Sequence, residues 1–580
     1  VEDNPSFKLI KKDSETDELL ANIKFAIYNI DNDTTTPAKN SKGETIGTKE
    51  TINGKEYYTV TTDSKGEITA DLPEGMYKAV EVEAPEKYDI SDSTYYFGIG
   101  TSREGKEGLK VTWAQGIAGE YDEEITSVAA TDDGGYIVGG YFSSKNIDLG
   151  NGVKIINNSE KKSGSYGLKN DGMLIKYDTD GVIEWAQGIG GKYDDYIESV
   201  AVTSDGGYII GGRFQTYIDL GNGISLSNST NYRYAGMIIK YNSNREAEWA
   251  NVVKDTSSID SVAETSEGDY IVGGYFESSS IDLGNGVSLT NKGNSDGMII
   301  KYSAEGEVKW AQGIGGTSFD HINSVAETLD GGYIVGGSFD SSSIDLGNGV
   351  SLTNKGSYDG MIIKYSSEGN AEWAQVIGGT DEDQINSIAV TKDGDYIIGG
   401  YFRSKSISLG NGGSLSNKSS YNGMVIRYNS KGELKFAEST GERVSKLTIT
   451  NDGGYIRCGY EEIAKYNRNN EVELERNILG VDAICAFQMN ENSYIAFGKF
   501  QDNLNFENRI NLIRKGGFDA LTIKLEKTQL SNPTIIQAQG IGGESYDDIN
   551  SVVATSDGGY IVGGSFESSS IDLGNGISLA

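Results

Sequence analysis

Short apolar stretches recur along most of the chain, and polar, turn-forming residues separate them. In one unit, residues 322–379, four stretches read "INSVAET", "GGYIVGGSF", "GMIIKY" and "AEWAQVIGG". The turn signals "LDGG", "SYDG" and "SSEG" supply the positive φ angles that chain reversals need. The second and third stretches are continuously apolar at their centres, which predicts strands covered on both faces. The pattern predicts four antiparallel strands per unit, with an extra hairpin at "SSIDLGNGVSL" between the second and third.

The unit repeats with a period of about 63 residues, which indicates a repeat architecture. The "GGYIVGG" and "WAQ" stretches each occur eight times, and the "MIIKY" stretch occurs seven times. The "GGYIVGG" copies begin near Gly134, Gly206, Gly268, Gly331, Gly394, Gly453, Asn492 and Gly558. Radial repetition of four-stranded sheets leaves only short, protected edges. We therefore predict an all-β fold containing an eight-bladed β-propeller, with a seven-bladed ring as the alternative.

The two ends of the repeat region predict how the ring closes. The region begins with "VTWAQGIAG", a fourth strand without its first three, and ends with a first and a second strand. We expect the N-terminal "WAQ" strand to pair with the last blade, in a propeller spanning residues 112–580 after a linker at 102–111. One third strand is then missing, either cut away after Ala580 or borrowed from residues 96–111.

These units resemble the bacterial surface β-propeller repeats with the pattern "DGGYIVAG…D.YLIK.D..G…W...YGG", over about 465 residues. Strand order, glycine positions and the tryptophan recur in step. We interpret the tryptophans as packing between blades rather than as a sugar-stacking platform, because each occupies the same place in its unit. They are Trp113, Trp185, Trp249, Trp310 and Trp373.

The first hundred residues have a different texture. They contain "FKLIKKDSETDELLANIKFAIYN", "KGEITADLPEGMYKAVEVEAPEKY" and "STYYFGIG". This segment resembles the collagen-adhesin B-type, pilin-like domain of Gram-positive surface proteins, with its "L.K.D..T...L.GA.F.LY" opening and "G.Y...E..AP.GY" close. The resemblance implies a prealbumin-like β-sandwich over residues 1–101.

The same resemblance implies an internal Lys–Asn isopeptide bond assisted by a buried acid. A desolvated lysine becomes nucleophilic, and a protonated carboxyl group polarises the amide it attacks. The matching residues are Lys11 and, in "EVEAP", Glu81. The closing segment "YYFGIGTSREG" contains no asparagine, so the partner is not found. An unlinked sandwich is the alternative.

Charge narrows the classes of partner. The chain carries 85 acidic and 50 basic residues, a formal charge of −35 and a pI near 4.4. A polyanion disfavours nucleic acid and anionic membrane surfaces, which need a cationic face. No apolar run reaches the ~18 residues of a membrane span, so we expect no membrane insertion. We expect a monomer, and the opening "VEDNPSFK" indicates a processed or excised segment.

Candidate chemistry is sparse. His321 is the only histidine, and the corresponding residues of other units differ, so we interpret it as part of an exposed loop; no catalytic residue and no metal ligand is assigned. The "SIDLGNG" segments resemble ordinary hairpin turns more than Ca²⁺ loops, and we expect no cofactor, with Ca²⁺ as the alternative. We expect Cys458 and Cys485 to be buried thiols, with a disulfide as the alternative.

A binding site is best sought where the units differ. The connection before the "MIIKY" stretch is short in the third and fourth units but becomes "NNSEKKSGSYGLKND" in the first and "SNSTNYRYA" in the second. Aromatic and guanidinium groups bury large areas at modest entropy cost. The candidate ligand-binding residues are Tyr166, Tyr217, Tyr232, Arg233 and Tyr234.

The two resemblances together imply a protein attached to a Gram-positive cell wall. The expected function is non-enzymatic adhesion or ligand display, with a host or environmental protein or glycan as partner. One alternative is a structural spacer. Another is a glycan-cleaving enzyme that uses paired Asp and Glu residues in the propeller channel. A catalytic pair should break the symmetry of the repeat at one place.

Overall fold

The computed structural model is built from β-strands and contains no helix in the residues it describes. Those residues are 6–10, 20–29, 36–40, 42–52, 54–72, 75–85, 94–99, 107–160, 168–228, 233–254, 257–410, 412–417, 419–490, 492–501, 504–506, 510–512, 515, 518–529, 547–554, 560–566, 571–572 and 578–579. The chain divides into two compact units, one of Val1–Gly108 with Thr528–Ala580 and one of Leu109–Lys527.

The first unit contains the N-terminal β-sandwich. Ser6–Ile10 pairs with Glu67–Asp71, and five other strands form one antiparallel sheet. In sheet order these five are Thr48–Ile52, Lys55–Thr61, Lys24–Asn29, Gly75–Glu83 and Thr94–Ile99. Ile68 of the smaller sheet packs against Phe25 and Ile27 of the larger one, so a shared apolar core joins the two sheets. The unit also contains two hairpins, Asp547–Ala554 with Tyr560–Phe566 and Ile571–Asp572 with Ser578–Leu579.

The second unit contains seven successive groups of four antiparallel strands among its described residues, here termed blades 1 to 7 with strands a to d. The a strands are Glu123–Ala130, Asp195–Val202, Ser257–Glu264, Asp320–Glu327, Asp383–Val390, Val444–Ile449 and residues 481–488. The b strands are Tyr136–Phe142, Tyr208–Phe214, Tyr270–Phe276, Tyr333–Phe339, Tyr396–Phe402, residues 455–460 and Ser493–Phe500.

The outer strands complete each blade. The c strands are Asp171–Tyr177, Ala235–Tyr241, Asp296–Tyr302, Asp359–Tyr365, Asn422–Tyr428, residues 462–466 and Asp519–Gln529. The d strands are Ile183–Ile189, Ala247–Val253, Val308–Ile314, Ala371–Ile377, Leu434–Thr440, residues 472–477 and Glu107–Ile117. Each a strand contacts the a strand of the next blade, and that of blade 7 contacts that of blade 1. The a strands therefore surround a central channel, as in a β-propeller.

Blades 6 and 7 form one continuous six-stranded sheet, because two long strands each supply two blade strands. Tyr455–Tyr466 folds back on itself near Glu461, whose φ is +56°. The rings of Tyr455 and Tyr466 stack with centroids 4.8 Å apart, which a straight strand of that length excludes. Val472–Gln488 bends at Gly480, whose φ is +77°, and passes from strand d of blade 6 to strand a of blade 7.

The ring closes on a different blade from the expected one. Glu107–Ile117, which carries the first "WAQ" segment, pairs with Asp519–Gln529 and completes blade 7. Asp547–Ala554 and Tyr560–Phe566 pair only with each other among the described strands. Asp519–Gln529 is a third strand with one free edge, and the N-terminal strand satisfies the backbone groups of that edge. The expected eighth blade is thus not formed by the described strands, and the closing strand starts inside the expected linker.

Contacts across the junction of blades 7 and 1 match those at the other junctions. Trp113 covers Gly181 of blade 1, as Trp249 covers Gly306 of blade 3. The expected packing role of the tryptophans is therefore seen in the geometry. Four of them lie beside a tyrosine of the next blade, with centroid distances of 5.8, 5.7, 5.7 and 6.1 Å, in the pairs Trp185–Tyr208, Trp249–Tyr270, Trp310–Tyr333 and Trp373–Tyr396.

The glycine pair of "GGYIVGG" at the end of strand b allows close packing in two directions. A Cβ atom on Gly336 would collide with Ile388 of the next blade. A Cβ atom on Gly337 would overlap the carbonyl oxygen of His321 in strand a of its own blade. A β-bulge lies beside this point in strand a, between Ile322 and Ser324. Only glycine permits both backbones to approach this closely.

A serine in strand a links neighbouring blades. The Ser199 hydroxyl accepts a hydrogen bond from the backbone N–H of Val262 at 3.1 Å, so the inner strands are joined from one blade to the next. The same bond recurs at 3.1 Å in the pairs Ser127–Val200, Ser261–Val325, Ser324–Ile388 and Ser387–Leu447. The propeller is therefore held at its centre by a repeated polar contact as well as by apolar packing.

In most blades a buried lysine in strand c pairs with acidic side chains at the end of the blade that carries the turn between strands a and b. Lys240 is 1% exposed, and its Nζ lies 2.8 Å from Asp205 and 3.0 Å from Glu248 of strand d. In blade 3 the charges are exchanged: Asp269 replaces a glycine of the turn, and Lys309 replaces the strand d glutamate. Blade 5 shows the same exchange with Asp395 and Lys435. Paired changes of this kind keep the buried cation compensated, which a single change would not.

The "DLGNG" segments form capped hairpin turns. In blade 4, Asp345 Oδ1 accepts a hydrogen bond from the N–H of Gly347 at 2.9 Å. Asn348 has a φ of +54° and the following Gly349 a φ of +77°. The aspartate is thus engaged with its own turn, in the geometry that the sequence favours over a Ca²⁺ loop. Blade 6 has no such hairpin between its b and c strands.

Candidate functional site

One end of the central channel is lined by the positions at which the blades differ most. At the second residue of strand a, six blades carry Glu124, Tyr196, Ser258, His321, Gln384 and Asp482, and in blade 6 the equivalent Arg443 immediately precedes the strand. At the sixth residue of strand b, six blades carry Tyr141, Arg213, Tyr275, Ser338, Tyr401 and Tyr460, and the equivalent Lys499 is the seventh residue of the longer strand in blade 7. The register places twelve of these residues opposite each other in six pairs, such as Glu124 with Tyr141. We term these fourteen residues the mouth ring.

Within the mouth ring, side chains of strand b contact the strand a residue of the following blade. The rings of Tyr141 and Tyr196 lie 4.8 Å apart, edge to face. Lys499 Nζ lies 2.9 Å from Glu124 and so joins blade 7 to blade 1. The mouth ring is therefore a continuous surface of aromatic and charged groups.

His321 belongs to this surface and not to the exposed loop that its variability indicated. It lies in strand Asp320–Glu327, stacked on Tyr275 with centroids 4.3 Å apart, and its Nε2 is 3.2 Å from the Ser295 hydroxyl. Burial lowers the pKa of His321 to about 4, so the ring is neutral at physiological pH. Variation among the copies therefore occurs within a strand at the mouth ring and not in an unconstrained loop.

Two carboxylates break the symmetry just inside the mouth ring, at the fourth residue of strand a. In blades 1, 4 and 5 this residue donates a hydrogen bond to a carbonyl of the next blade, at 2.6, 2.8 and 2.8 Å. The donors are Thr126, Asn323 and Asn386. Blades 2 and 3 have Glu198 and Asp260 instead, and an ionised carboxylate cannot donate. These two blades therefore lose a bond that holds their neighbours together.

Arg213 and Tyr234 lie beside this acidic pair. Arg213 Nη2 is 3.1 Å from Glu198 Oε1, and the guanidinium lies 4.5 Å from the Tyr196 ring centroid and 5.3 Å from that of Tyr234. Burial raises the pKa of Asp260 to about 7, and the charge of Glu198 adds to the rise. Burial also raises the pKa of Glu198, although Arg213 opposes that shift. Both carboxyl groups therefore ionise less readily than exposed ones.

Across the channel, blades 5 to 7 enclose a cavity of about 300 Å³. Its walls are Tyr401, Arg403, Tyr421, Arg443, Ser445, Tyr460 and Asp482, four of which belong to the mouth ring. Arg443 is exposed and lies 5.6 Å from the Tyr401 ring centroid, and Arg403 pairs with Glu382 at 3.1 Å. Burial raises the pKa of Asp482, with Lys499 and Arg443 opposing the shift. The cavity therefore offers aromatic faces, donors and acceptors together.

The residues selected from the loops have different locations. Tyr234 reaches the mouth ring, where it contacts Tyr196 and Arg213. Tyr217 begins the outer hairpin of blade 2 and is 52% exposed. Arg233 is exposed, and its carbonyl accepts a hydrogen bond from Asn228 at 2.8 Å. Tyr166 and Tyr232 lie outside the described residues.

The isopeptide residues of the N-terminal domain are described only in part. Glu81 lies in strand Gly75–Glu83 opposite Phe25, and it is 4% exposed. Lys11 lies outside the described residues. The buried position of Glu81 matches the site expected of the assisting acid, and the Lys–Asn bond stays a prediction.

Cys458 and Cys485 are both buried and both free. Cys458 replaces the glycine that precedes the last residues of strand b, and Cys485 replaces the blade-linking serine of strand a. Cys485 Sγ lies 3.5 Å from the Thr448 hydroxyl. Burial raises the pKa of both thiols, so neither is reactive at neutral pH.

No group of three or more His, Cys, Asp or Glu side chains in the part of the chain described converges to hold a metal ion. No helix long and apolar enough to cross a membrane occurs there either.

The fold and the mouth ring define an all-β protein with a prealbumin-like domain and a β-propeller. Residues 5–113 match the family model described as SpaA, a prealbumin-like fold domain. The chain is 22% identical over 524 residues to an uncharacterized WD repeat-containing protein of Acanthamoeba polyphaga mimivirus, covering 77% of this chain and 35% of that protein. It is 30% identical over 117 residues to the regulatory protein FlaEY of Caulobacter vibrioides, covering 20% and 12%.

Solved propeller structures resemble the chain in outline. The Dos1 propeller aligns with a TM-score of 0.36 and 10% identity, over 72% of this chain and 95% of its own. The Pan2 WD40 domain of Neurospora crassa aligns with a TM-score of 0.40 and 10% identity, over 74% and 97%. A prealbumin-like domain joined to a propeller is consistent with a surface or protein-interaction module.

Proposed function

We propose that the chain is a non-enzymatic adhesion or ligand-display module of a bacterial cell surface, carried on a Gram-positive wall. It binds an extracellular protein or glycan through the mouth ring. One observation supports this most strongly: side chains that vary between otherwise similar blades converge on one face. Packing alone would favour one residue type at a position, as it does for the serines and the tryptophans, each of which recurs in five of the seven blades.

The composition of the mouth ring favours recognition over a spacer role. It contains five tyrosines, two arginines, a lysine and a histidine among its fourteen members. Tyrosine and arginine are the residues that contribute most binding energy at interfaces, because they bury large areas with few rotatable bonds. A structural spacer has no use for such a surface.

Binding of the full chain to arrays of matrix proteins and glycans at physiological salt tests this proposal. We expect a specific ligand whose affinity falls at least tenfold in Arg443→Glu, because reversing an exposed mouth-ring charge repels the bound partner. Arg245→Glu is the matched control, since Arg245 is also exposed but lies in a turn between strands c and d. Its affinity should stay within twofold. An array without any specific ligand would leave the spacer as the better description.

A second candidate is a glycan-cleaving enzyme, and Glu198 with Asp260 favours it. Buried carboxyl groups with different environments divide the roles of proton donor and proton acceptor in glycoside hydrolysis. Asp260, whose pKa rises to about 7, would protonate the leaving oxygen, and Glu198 beside Arg213 would act as the base or nucleophile. Here the repeat is broken by an acidic pair at one place, as a catalytic site requires.

Hydrolysis of a panel of polysaccharides and chromogenic glycosides separates the two candidates. If the enzyme reading is right, Glu198→Gln and Asp260→Asn should each lower turnover by about a thousandfold or more, through loss of acid–base catalysis. Asp345→Asn, a change of an acid in an exposed hairpin turn, is the control and should not. Absence of turnover across the panel contradicts the enzyme and leaves adhesion standing.

A further inference from the structure

Blade 6 departs from the repeat on the face that carries the mouth ring. In the other six blades of the described ring, strand b ends in a buried phenylalanine; these are Phe142, Phe214, Phe276, Phe339, Phe402 and Phe500. Blade 6 has Glu461 at this position, and the chain reverses there, so its b and c strands stop short. Arg457 Nη2 lies 2.5 Å from Glu462 across the reversal. The outer hairpin found in the neighbouring blades is absent here.

The shortened blade leaves a notch in the ring of blades. The 300 Å³ cavity lies at this point, with walls from blade 5, blade 6 and blade 7. Tyr460 stands at the early reversal and Tyr421 in the connection before strand c of blade 5. The irregular sixth unit, which as sequence reads as a worn copy, therefore creates the space.

The cavity exposes aromatic rings that packing would otherwise cover. Tyr421 is 37% exposed and Tyr460 49% exposed. Tyr217 is the only other tyrosine among the large apolar side chains that are exposed in the described residues, and it lies in another blade. Aromatic rings present an apolar face that suits the C–H face of a sugar ring. The Tyr421 hydroxyl donates a hydrogen bond to Glu442 at 3.1 Å, which holds that ring in place.

The polar groups of the cavity match a ligand rich in hydroxyl groups. The Arg443 guanidinium donates only, the Asp482 carboxylate accepts when ionised, and the Ser445 hydroxyl does both. The neighbouring charges largely cancel, since Arg403 pairs with Glu382 and Arg443 lies near Asp482. A strongly charged partner is thus disfavoured, and a neutral ligand with many donors and acceptors is favoured.

We propose that the blade 6 cavity is a carbohydrate subsite, in which sugar rings stack on Tyr421 and Tyr460 and bond to Arg443, Ser445 and Asp482. The inference rests on the proposed binding function and assigns its ligand to the glycan class. A volume of about 300 Å³ lies at the lower end of the range of ligand pockets, which suits the terminal one or two sugars of a glycan.

Saturation-transfer NMR with the full chain tests the subsite, using di- and trisaccharides of glucose, galactose, mannose and N-acetylhexosamine units. We expect transfer to at least one saccharide, and an affinity lowered at least tenfold in Tyr460→Ala and in Tyr421→Ala. Tyr460→Phe keeps the ring and should lose less than threefold. Tyr217→Ala is the matched control and should bind as the parent chain does. The melting temperature of each variant shows that its fold is intact.

The outcomes separate this inference from the broader function. A chain that binds a matrix protein but no saccharide overturns the carbohydrate subsite and leaves adhesion in place. Equal losses in Tyr460→Ala and Tyr460→Phe would mean that stacking is not the mode of binding, and would also overturn it. A chain that binds neither protein nor saccharide contradicts both.

Discussion

Replacing Val111 by aspartate should destabilise the propeller by about 4 kcal/mol or more, because an unpaired carboxylate would be buried in its core. Val111 is fully buried in the closing strand Glu107–Ile117 and packs with Leu521 and Ile523 of blade 7. Val472→Asp is the matched control: Val472 also lies in a d strand but is 47% exposed. The control should cost less than about 1 kcal/mol in the free energy of unfolding measured by denaturant titration.

Hydrogen exchange shows which strand the substitution releases. In Val111→Asp the amides of Asp519–Gln529 should lose protection first, since Glu107–Ile117 covers their edge. If instead the amides of residues 547–566 lost protection while those of Asp519–Gln529 kept it, the ring would close on the strands that the sequence indicated. The closure of the ring by pairing of Glu107–Ile117 with Asp519–Gln529 would then be wrong.

The propeller should be more stable at pH 5 than at pH 8, contrary to the usual behaviour of acidic proteins. Burial raises the pKa of Asp171 and Asp260 to about 7, that of Asp359 to about 6 and that of Glu123 to about 8. An unfolded Asp titrates near 3.8, so between these values the folded state holds protons that the unfolded state has lost. Stability then falls as the pH rises, by up to about 1.4 kcal/mol per group and pH unit.

Carboxyl groups with lowered pKa values act in the opposite direction but at lower pH. Burial works against ionisation of Asp205, yet hydrogen bonds from Lys240, Thr203 and Gly207 outweigh it and hold its pKa at about 2. Its stabilising contribution is present above pH 3.8 and is lost only as the pH falls towards 2. His321, whose pKa burial lowers from 6.5 to about 4, also opposes the trend, because stability rises with pH between these two values. The several buried acids outweigh this single group and set the net fall from pH 5 to pH 8.

Thermal unfolding at a series of pH values checks this expectation. The melting temperature should fall by about 5 °C or more between pH 5 and pH 8. Asp171→Asn removes one titrating group and should reduce the slope of melting temperature against pH. The melting temperature of the variant should therefore rise relative to that of the parent chain as the pH rises. Asp345→Asn, in an exposed turn, should leave the slope unchanged. A melting temperature that rises with pH over this window would contradict the assignment of the buried acids as protonated.

The repetition of local patterns made most of the fold predictable. The "GGYIVGG" and "WAQ" stretches are strands b and d, and the recurring tryptophans pack between blades as their constant position indicated. The closure was not predictable from these patterns. Two of the eight copies of the fourth-strand sequence, near Trp113 and Gln537, compete to close the ring, and every third strand offers them a similar edge. Sequence similarity cannot decide which copy pairs with which edge, because the choice depends on tertiary packing.

The sequence predicted that a site would lie where the units differ, but not where in the fold that site is. Differences between units do mark the mouth ring, yet the sequence directed attention to long loops, and among their described candidates only Tyr234 reaches the mouth ring. His321 and its counterparts vary although they lie within a strand or beside one, so variation between units does not indicate an exposed loop at this position. Glu198 and Asp260 leave a signal that alignment of the units reveals: acids stand where two other blades have asparagine. The cavity of blade 6 depends on the early chain reversal at Glu461, which no residue pattern in the sequence predicts.

The chain enters and leaves the ring of blades through neighbouring strands, Glu107–Ile117 and Asp519–Gln529. Tension applied to the polypeptide on the two sides of the propeller therefore meets in blade 7, and the other six blades lie outside the line of force. A protein built in this way would lose one strand pair under load while the cavity walls contributed by blades 5 and 6 stayed folded. Mechanical strength and ligand recognition would then reside in different parts of the same ring.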